Sequence, residues 1–270
     1  MRSSDMPVRY AFVDIHCHLL PGLDDGPQSW EESLEMARMA VTDGFVAIVA
    51  TPHQLGNHAV ITGEVIRQRT EQFQRRLHAA QIPLQVSAGA DVRIEPELVD
   101  QVRSGQVLTL ADRGRQVLLE LPHELYVSLD RALAELRRAG LQGVLSHPER
   151  NRGILARPEI LSHLLDAGCL LQVTASSLLG AFGPQVQQLA EHIAAQQMLH
   201  FLATDAHGCH SRRPLMQQAF LRLQELAGRE TALRACCENP ARVLAGQEVP
   251  GGQRRVKRAR WRWFGGRKAG

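Results

Sequence analysis

Cysteine is scarce in this chain, and long apolar segments are missing from it. The five cysteines are odd in number and form no Cys-x-x-Cys pair, which argues against a disulfide framework and against a cysteine-based structural zinc site. No apolar run is long enough to cross a bilayer, and no apolar segment follows a basic start as it would in a signal peptide. We therefore expect reduced thiols and a cytoplasmic protein.

The composition indicates one globular domain followed by a distinct tail. A length of 270 residues with 44% hydrophobic and 22% charged residues is ordinary for a single large α/β domain. The net charge of +3 comes largely from an arginine-rich segment at residues 254–263, without which the rest of the chain is slightly acidic. We predict a domain over residues 1–249 and a basic tail over residues 250–270.

The tail combines aromatic residues with many cations. Like charges at this density resist folding onto a core, so disorder is expected of this segment in isolation. Trp261, Trp263 and Phe264 lie among the arginines, and this combination suits an anionic membrane surface. Nucleic acid is the competing partner, because basic and aromatic residues also bind single strands. We favour the inner face of the membrane.

Strand-like and helix-like patterns alternate along the chain. Short β-branched or apolar runs predict seven strands, at residues 12–15, 47–51, 84–88, 117–121, 143–146, 170–174 and 201–204. Helix-period segments lie between them, at residues 29–42, 63–80, 129–139, 158–167, 184–197 and 214–226. This alternation implies a parallel sheet covered by helices, in either a doubly wound sheet or a barrel.

Polar residues at the strand ends distinguish a barrel from a doubly wound sheet. The first site reads Asp-Ile-His-Cys-His from Asp14 to His18, and strand alternation places His16 and His18 on one face. Further histidines and acids follow six of the seven strands. An open sheet concentrates its site at one switch point, whereas a barrel gathers residues from every strand end onto one rim. We favour a barrel, distorted or short by one strand.

These residues are typical of a metal centre. Imidazoles mixed with carboxylates, without cysteine, are the donor set of a hydrolytic divalent-metal site rather than a structural zinc site. A lone His-x-His is often only a strand-end pair, and Asp24-Asp25-Gly26 also fits a turn before a helix capped by Ser29. For Glu149 we favour a solvated partner of Arg150 or Arg152 over a metal ligand. We expect His123 near the mouth and the remaining histidines at the surface: His58, His78, His163, His192, His200 and His210.

One cysteine has the spacing of a thiol-based phosphatase. Cys236 and Arg242 stand in a Cys-x5-Arg arrangement, but the residues between them contain no glycine and place Glu238 where a phosphate would bind. The segment instead indicates a helix boundary, with Asn239 as the N-cap and Pro240 in the first turn. We therefore reject a thiol mechanism.

The motifs together resemble a known family. The run Asp-Ile-His-x-His-x-Leu-Pro-Gly-Leu-Asp-Asp-Gly-Pro from Asp14 to Pro27 is followed by Ala-Thr-Pro-His, Ser-His-Pro-Glu-Arg and Thr-Asp-Ala-His. This set is similar to the PHP (polymerase and histidinol phosphatase) superfamily, and within it to bacterial protein-tyrosine phosphatases of capsule and exopolysaccharide clusters, over about residues 13–244. The resemblance implies a distorted (β/α)7 barrel with three metal ions, usually manganese, at the carboxyl ends of the strands.

The resemblance also implies a set of ligands. Carried over by motif position, they are His16, His18, one or both of Asp24 and Asp25 (Asp25 by spacing), His53, Asp91, Glu120, His147, Asp205 and His207. One position departs from the family, which usually has glutamate where this chain has Asp91. The shorter side chain would bring two metals closer together or weaken one site. Glu95 is a second carboxylate nearby, although we expect it to start a helix near Ile94.

The expected chemistry is hydrolysis of a phosphomonoester. Clustered divalent ions neutralise the phosphoryl oxygens and lower the pKa of bound water, so metal-bound hydroxide can attack phosphorus without a phosphoenzyme. Arginine grips phosphate with a planar fork that lysine lacks. Arginines at the motif positions of Arg150 and of Arg212 or Arg213 bind the phosphate in the phosphatases that this chain resembles. No general acid is evident from the sequence.

The sequence therefore predicts a manganese-dependent protein-tyrosine phosphatase that acts on the phosphorylated tail of a bacterial tyrosine autokinase or a related exopolysaccharide-biosynthesis protein. A small-molecule phosphatase of the histidinol-phosphate type is the second hypothesis, and a nuclease is the third. A non-catalytic metal-binding regulator, with one site lost at Asp91, is an alternative of a different class. We also leave open an oligomer and peripheral attachment to the membrane.

Overall fold

A computed structural model describes residues 10–251 of the chain. The basic tail predicted at residues 250–270 lies outside this range apart from its first two residues, so its proposed membrane and nucleic-acid contacts stay predictions. Within residues 10–251, no helix is long and apolar enough to span a membrane.

The structure contains parallel strands at all seven predicted places. Two of these strands are broken, so that nine segments result: β1 Phe12–Cys17, β2 Phe45–Ala50, β3 His53–Gln54, β4 Gln85–Ala88, β5 Asp91–Arg93, β6 Gln116–Glu120, β7 Gln142–Ser146, β8 Leu170–Thr174 and β9 Phe201–Ala203.

The two breaks have local causes. Between β2 and β3, Pro52 has no N–H to donate to a ladder. Between β4 and β5, Gly89 packs so closely on β2 that an added Cβ would lie 2.6 Å from Cγ1 of Val49. Each break moves the chain from the first sheet to the second just before a candidate ligand. That ligand is His53 after the first break and Asp91 after the second.

The strands close into a barrel. The hydrogen-bonded orders are β1-β2-β4 and β3-β5-β6-β7-β8-β9, and β2 leads into β3 as β4 leads into β5. The segment after β9 returns to β1 through a parallel bridge between Cys17 and Ala206. The His18 N–H donates to the Ala206 carbonyl at 2.8 Å, and the Asp205 N–H donates to the His16 carbonyl at 2.8 Å. The predicted seven-stranded barrel is confirmed, and the doubly wound sheet is excluded.

Helices surround this barrel. They are α1 Trp30–Asp43, α2 Gly63–Ala79, α3 Leu98–Arg103, α4 Asp130–Arg138, α5 Arg152–Ala156, α6 Ile160–Asp166, α7 Ala175–Leu178, α8 Pro184–Ala195, α9 Gln217–Ala227, α10 Arg229–Leu233 and α11 Asn239–Leu244. All six predicted helices are present. Ser29 caps α1 as predicted, since its side chain accepts a hydrogen bond from the Glu32 N–H. The helix expected near Ile94 begins only at Leu98.

The apolar core has two parts, one between strands and helices and one drawn mainly from the strands. The second part takes one or two residues from each of six strands, which is the pattern of a filled barrel interior: Ile15, Val49, Leu118, Val144, Leu170, Phe201 and Ala203. Val249 also belongs to it and is fully buried. The side chain of Gln142, at the start of β7, donates to the Val249 carbonyl at 2.9 Å. The chain up to Val249 therefore closes the amino end of the barrel and leaves the carboxyl end for the site.

Two predictions near the carboxyl end of the chain are wrong. Asn239 does not cap a new helix, because residues 229–244 continue through a π-helical segment, Arg234–Glu238. Pro240 has no N–H to donate to the carbonyl four residues earlier, and the wider π-helical turn tolerates this missing hydrogen bond. The Asn239 side chain does not cap a helix but donates to the His200 carbonyl at 2.9 Å. His200, expected at the surface, is only 3% exposed.

Candidate metal centre

The candidate ligands meet at the carboxyl end of the barrel. His16 is the last residue but one of β1, and His18 directly follows the strand. His53 and Asp91 start the short segments β3 and β5, which pair with each other, and Glu120 ends β6. The loops after β7 and β9 carry His147, Asp205 and His207, and the loop after β1 carries Asp24 and Asp25. Parallel strands place all of these residues on one rim, as the barrel prediction requires.

His16 lies at the centre of the cluster and is fully buried. Its Nε2 atom lies 3.3 Å from Nε2 of His18, 3.2 Å from Oδ1 of Asp205 and 3.5 Å from Oδ2 of Asp91. Burial opposes protonation of this ring, but Asp205 and Asp91 outweigh it and raise the pKa of His16 to about 9. A cation is therefore favoured at this point, whether proton or metal.

Among residues 10–251, four overlapping sets of donor atoms are close enough to hold metal ions. Within each set, one donor atom from every residue lies within 4.8 Å of the others. The sets are His18, Asp25, His53 and His207; His16, His18 and Asp91; His16, His147 and Asp205; and His53, Asp91 and Glu120. Nitrogen and oxygen donors at this density suit borderline divalent cations.

Asp91 supplies the strongest physical argument for a bound cation. Its carboxylate is fully buried, and neither oxygen has a hydrogen-bond partner within the described chain. Burial alone would raise its pKa, but His16 and His53 hold the pKa below its usual range. A buried charge needs a counter-charge, and Asp91 belongs to two of the four sets. Its carboxylate therefore lies within reach of two donor sets, although it is one methylene shorter than glutamate.

The two neighbouring aspartates have different contacts. Oδ2 of Asp24 lies 2.7 Å from Nδ1 of His18 and accepts from the His53 N–H at 3.0 Å. Asp24 thereby turns the other nitrogen of His18 toward the cluster. Asp25 belongs to a donor set, with Oδ1 3.3 Å from Nε2 of His207. The turn interpretation also holds, since the Gly26 N–H donates to Asp24 at 3.1 Å.

Two of these residues adopt a backbone conformation that side chains rarely take. The φ angles are 33° at His147 and 51° at Asp205, both in the left-handed region. The hydrogen bond from the Asp205 N–H to the His16 carbonyl holds the second of these in place. Strained residues persist where the surrounding contacts determine them, and they cluster at functional sites.

Two arginines converge on Asp205. An Nη atom of Arg150 lies 2.6 Å from Oδ2 of Asp205, and one of Arg212 lies 2.5 Å from the same oxygen. Nε of Arg212 is buried and has no acceptor within the described chain, so this donor is available to an anion. Arg213 is exposed and lines a cavity beside the site. The geometry thus favours Arg212 over Arg213.

The prediction for Glu149 is wrong, because this residue is fully buried rather than solvated. Its Oε1 accepts hydrogen bonds from the Thr174 N–H at 2.9 Å and from the Ser177 hydroxyl at 2.7 Å. Arg152 pairs instead with Glu124, at 2.6 Å. Glu149 therefore joins the loop after β7 to the end of β8. Glu95 belongs to none of the four candidate metal-ligand sets. Its Oε1 accepts a hydrogen bond from the Gly56 N–H at 2.8 Å.

Sequence reasoning missed two positioning residues. Oε1 of Gln172 lies 2.9 Å from Nδ1 of His16. Asp14 accepts from the backbone N–H of His16 and of Thr204, each at 3.1 Å, and also from the Thr204 hydroxyl. Asp14 was visible in the first motif, and Gln172 stands out as the polar residue of a buried strand. His58, expected at the surface, lies with its ring centroid 5.1 Å from that of His53.

The cysteines are unsuited to nucleophilic catalysis. Cys236 is fully buried against the sulfur of Met216, and burial raises the pKa of its thiol well above the usual range. The other four cysteines also have raised pKa values, so none is a ready thiolate. The rejection of a thiol mechanism is consistent with this environment.

Comparisons with known proteins match most of the chain. A family model described as "Capsular polysaccharide synthesis, CpsB/CapC" matches residues 12–245. The chain is 36% identical to tyrosine-protein phosphatase YwqE of Bacillus subtilis over 240 residues, which are 88% of this chain and 93% of YwqE. It is 25% identical to tyrosine-protein phosphatase CpsB of Streptococcus pneumoniae over 243 residues, which are 88% of this chain and all of CpsB.

Solved structures support the fold. One chain, from work on YwqE of Bacillus subtilis and CpsB of Streptococcus pneumoniae as "unique metal-dependent tyrosine phosphatases", superposes with a TM-score of 0.85 at 34% identity. The match covers 91% of this chain and all of that one. A probable 2-pyrone-4,6-dicarboxylic acid hydrolase of Acinetobacter baumannii has a TM-score of 0.53 at 14% identity, covering 87% of this chain and all of that one. The second structure shares the fold alone.

Proposed function

Because the chain belongs to the CpsB/CapC family of capsular polysaccharide synthesis and is a metal-dependent tyrosine phosphatase, we propose that its substrate is phosphotyrosine on a tyrosine autokinase of bacterial exopolysaccharide synthesis. The alternative substrate is a related phosphotyrosine-bearing protein of exopolysaccharide synthesis.

The observation that carries the proposal is the convergence of Arg150 and Arg212 on Asp205. These two guanidinium groups lie at the edge of the donor cluster and share one carboxylate oxygen. Because each guanidinium has further N–H groups, both can donate to a phosphoryl group while Asp205 holds them in place. The dianion of a phosphomonoester would then lie between two fixed cations and the ligand cluster.

We assign three manganese ions to the cluster. His18, Asp25, His53 and His207 would hold one ion, His16, His147 and Asp205 a second, and His53, Asp91 and Glu120 a third. His53 is common to two of these sets. Asp91 also belongs to the fourth set, with His16 and His18, through which it would contact a second ion. When bound, such ions supply Lewis acidity toward the phosphoryl oxygens and lower the pKa of coordinated water.

The protein side chains have the remaining tasks. Asp24 and Gln172 orient His18 and His16, and Asp14 holds the segment that carries Asp205. Arg150 is only 12% exposed, so its charge acts on a bound phosphate with little screening by solvent. Asp25, at 61% exposed, lies where the site opens to the surface. A tyrosine carried on another protein can therefore reach the cluster.

We also propose that the protein works in the cytoplasm at the inner face of the membrane. The basic and aromatic composition of residues 250–270 supports this placement. Membrane-bound autokinases would then be within reach of the site.

Turnover after metal removal tests the function. The protein is stripped with a chelator, manganese is added back, and hydrolysis of a phosphotyrosine peptide is compared with that of histidinol phosphate. We expect activity to return only with metal and to favour the peptide, and Cys236→Ser to behave as wild type. Preference for histidinol phosphate would support the small-molecule hypothesis. Bound metal without turnover of either substrate would support a non-catalytic regulator, and activity that resists chelation but not alkylation would refute the metal assignment.

A further inference from the structure

Phe182 lies against one of the two arginines of the site. It belongs to the loop between α7 and α8 and is half-buried. The Cζ atom of Arg150 lies 4.9 Å from the centroid of the Phe182 ring, within the range of a cation–π contact.

Phe182 lines two cavities that also include the arginines of the site. One cavity, of about 560 Å³, is lined by Phe182 together with His123 and Arg150. The other, of about 620 Å³, is lined by Phe182 together with Arg212 and Arg213. Among the described residues, Phe182 is common to both linings, and each lining also includes an arginine proposed to bind phosphate, Arg150 in one and Arg212 in the other.

This arrangement would bring the ring beside an ester bound by the two arginines. A phosphoryl group held by Arg150 and Arg212 must lie near Asp205, because both arginines contact the same oxygen of that residue. The group esterified to the phosphate would extend away from the buried ligands. Because Phe182 contacts Arg150 and lines a cavity with each arginine, that group would meet the Phe182 ring. An aryl group gains from offset or edge-to-face contact with this ring, whereas a short alkyl group does not.

We propose that Phe182 is a specificity-determining residue that contacts the aryl ring of phosphotyrosine and so favours aryl over alkyl phosphomonoesters. The proposal rests on the proposed phosphatase function and names the part of its site that reads the tyrosine. A competing role is that Phe182 only positions Arg150, and the test must separate the two.

Binding of two phosphonates to the manganese-loaded full chain makes this separation. Phenylphosphonate and methylphosphonate both present an anion to the arginines, but only the first carries a ring. We expect Phe182→Ala to weaken phenylphosphonate binding roughly tenfold, the scale of one good aromatic contact with its buried area. Methylphosphonate binding should change less than about twofold, because Arg150 and the metal ions remain.

Two further variants sharpen the result. Phe182→Tyr keeps a ring and should retain the preference for phenylphosphonate, whereas Phe182→Leu keeps apolar bulk without a ring and should lose most of it. Equal weakening of both phosphonates would overturn the proposal, since it would mean that Phe182 acts only through Arg150. Full preference in Phe182→Leu would overturn the aromatic contact. Calorimetry measures these affinities without turnover, so failure to hydrolyse phosphotyrosine would refute the proposed function separately.

Discussion

Gln172 accepts a hydrogen bond from Nδ1 of His16 at 2.9 Å. Because an amide oxygen only accepts, this contact leaves the proton on Nδ1 and turns the lone pair of Nε2 toward the donor cluster. The same oxygen lies 3.4 Å from the His147 N–H. A residue of β8, the strand without a predicted ligand, thus orients one candidate ligand and contacts the backbone of another.

Replacing Gln172 by Leu should weaken metal binding without removing a ligand. Loss of an orienting hydrogen bond to a metal-binding histidine typically costs about 10- to 100-fold in affinity, and we expect a loss of this size for manganese, measured by calorimetry on the metal-free protein. Gln172→Glu keeps an acceptor and should lose less. Wild-type affinity in Gln172→Leu would show that the hydrogen bond does not orient His16.

Asp91 stands where the resembling family usually has glutamate, so we expect the substitution Asp91→Glu to improve metal binding rather than impair it. Oδ2 of Asp91 lies 3.5 Å from Nε2 of His16 and 3.5 Å from Nδ1 of His53, so Asp91→Glu adds reach at the position proposed to bridge two metals. We expect a higher manganese affinity, or more activity at limiting manganese, with little change at saturation. Loss of activity at every manganese concentration would indicate that the pocket has adapted to aspartate, and Asp91→Ala provides the inactive reference.

The paired arginines allow a matched comparison. Arg150→Lys and Arg212→Lys keep the charge but lose the planar fork, so kcat/KM for a phosphotyrosine peptide should fall by about 10- to 100-fold in each. Arg213→Lys should remain within about twofold of wild type, because Arg213 is exposed and does not contact Asp205. Metal content, measured by elemental analysis, should be unchanged in all three. A large loss in Arg213→Lys alone would reverse the assignment.

Metal binding should release protons. Without metal, burial lowers the pKa of His16, but Asp205 and Asp91 outweigh this effect and raise that pKa to about 9. Burial and the charge of Asp91 raise the pKa of Glu120 to about 8. Both groups therefore hold a proton at pH 7 and must lose it to become ligands. We expect manganese affinity to rise from pH 6 to pH 9. Calorimetry in two buffers of different ionisation enthalpy would count the protons, and a pH-independent affinity would contradict the prediction.

The tail should affect membrane binding and leave the site intact. Val249 is buried and its carbonyl is hydrogen-bonded to Gln142, so removal of residues 251–270 leaves these contacts in place. We expect the shortened protein to hydrolyse a soluble aryl phosphate normally and to bind anionic vesicles more weakly, with little salt dependence remaining. Undiminished vesicle binding would refute the membrane role. Loss of aryl phosphate hydrolysis would place the domain boundary after residue 249.

The sequence by itself determined the strand and helix pattern and the chemistry of the rim. Hydrophobic periodicity is a local property, so the seven strand positions and the helix capped by Ser29 could be predicted. Histidines and acids at the ends of successive strands implied a barrel, because parallel strands bring their carboxyl ends together. Asp24 and Asp25 could not be separated in this way, since neighbours in sequence differ only in where their side chains point.

The tertiary structure alone decided the contacts between residues far apart in the chain. Glu149 was expected in solvent, but the loop after β7 folds over the end of β8, where the Thr174 N–H and the Ser177 hydroxyl satisfy the buried carboxylate. Arg212 rather than Arg213 faces Asp205, which depends on a left-handed turn at Arg212 with φ of 49°. Neither outcome has a local signal, because burial and hydrogen-bond partners are set by packing across the barrel.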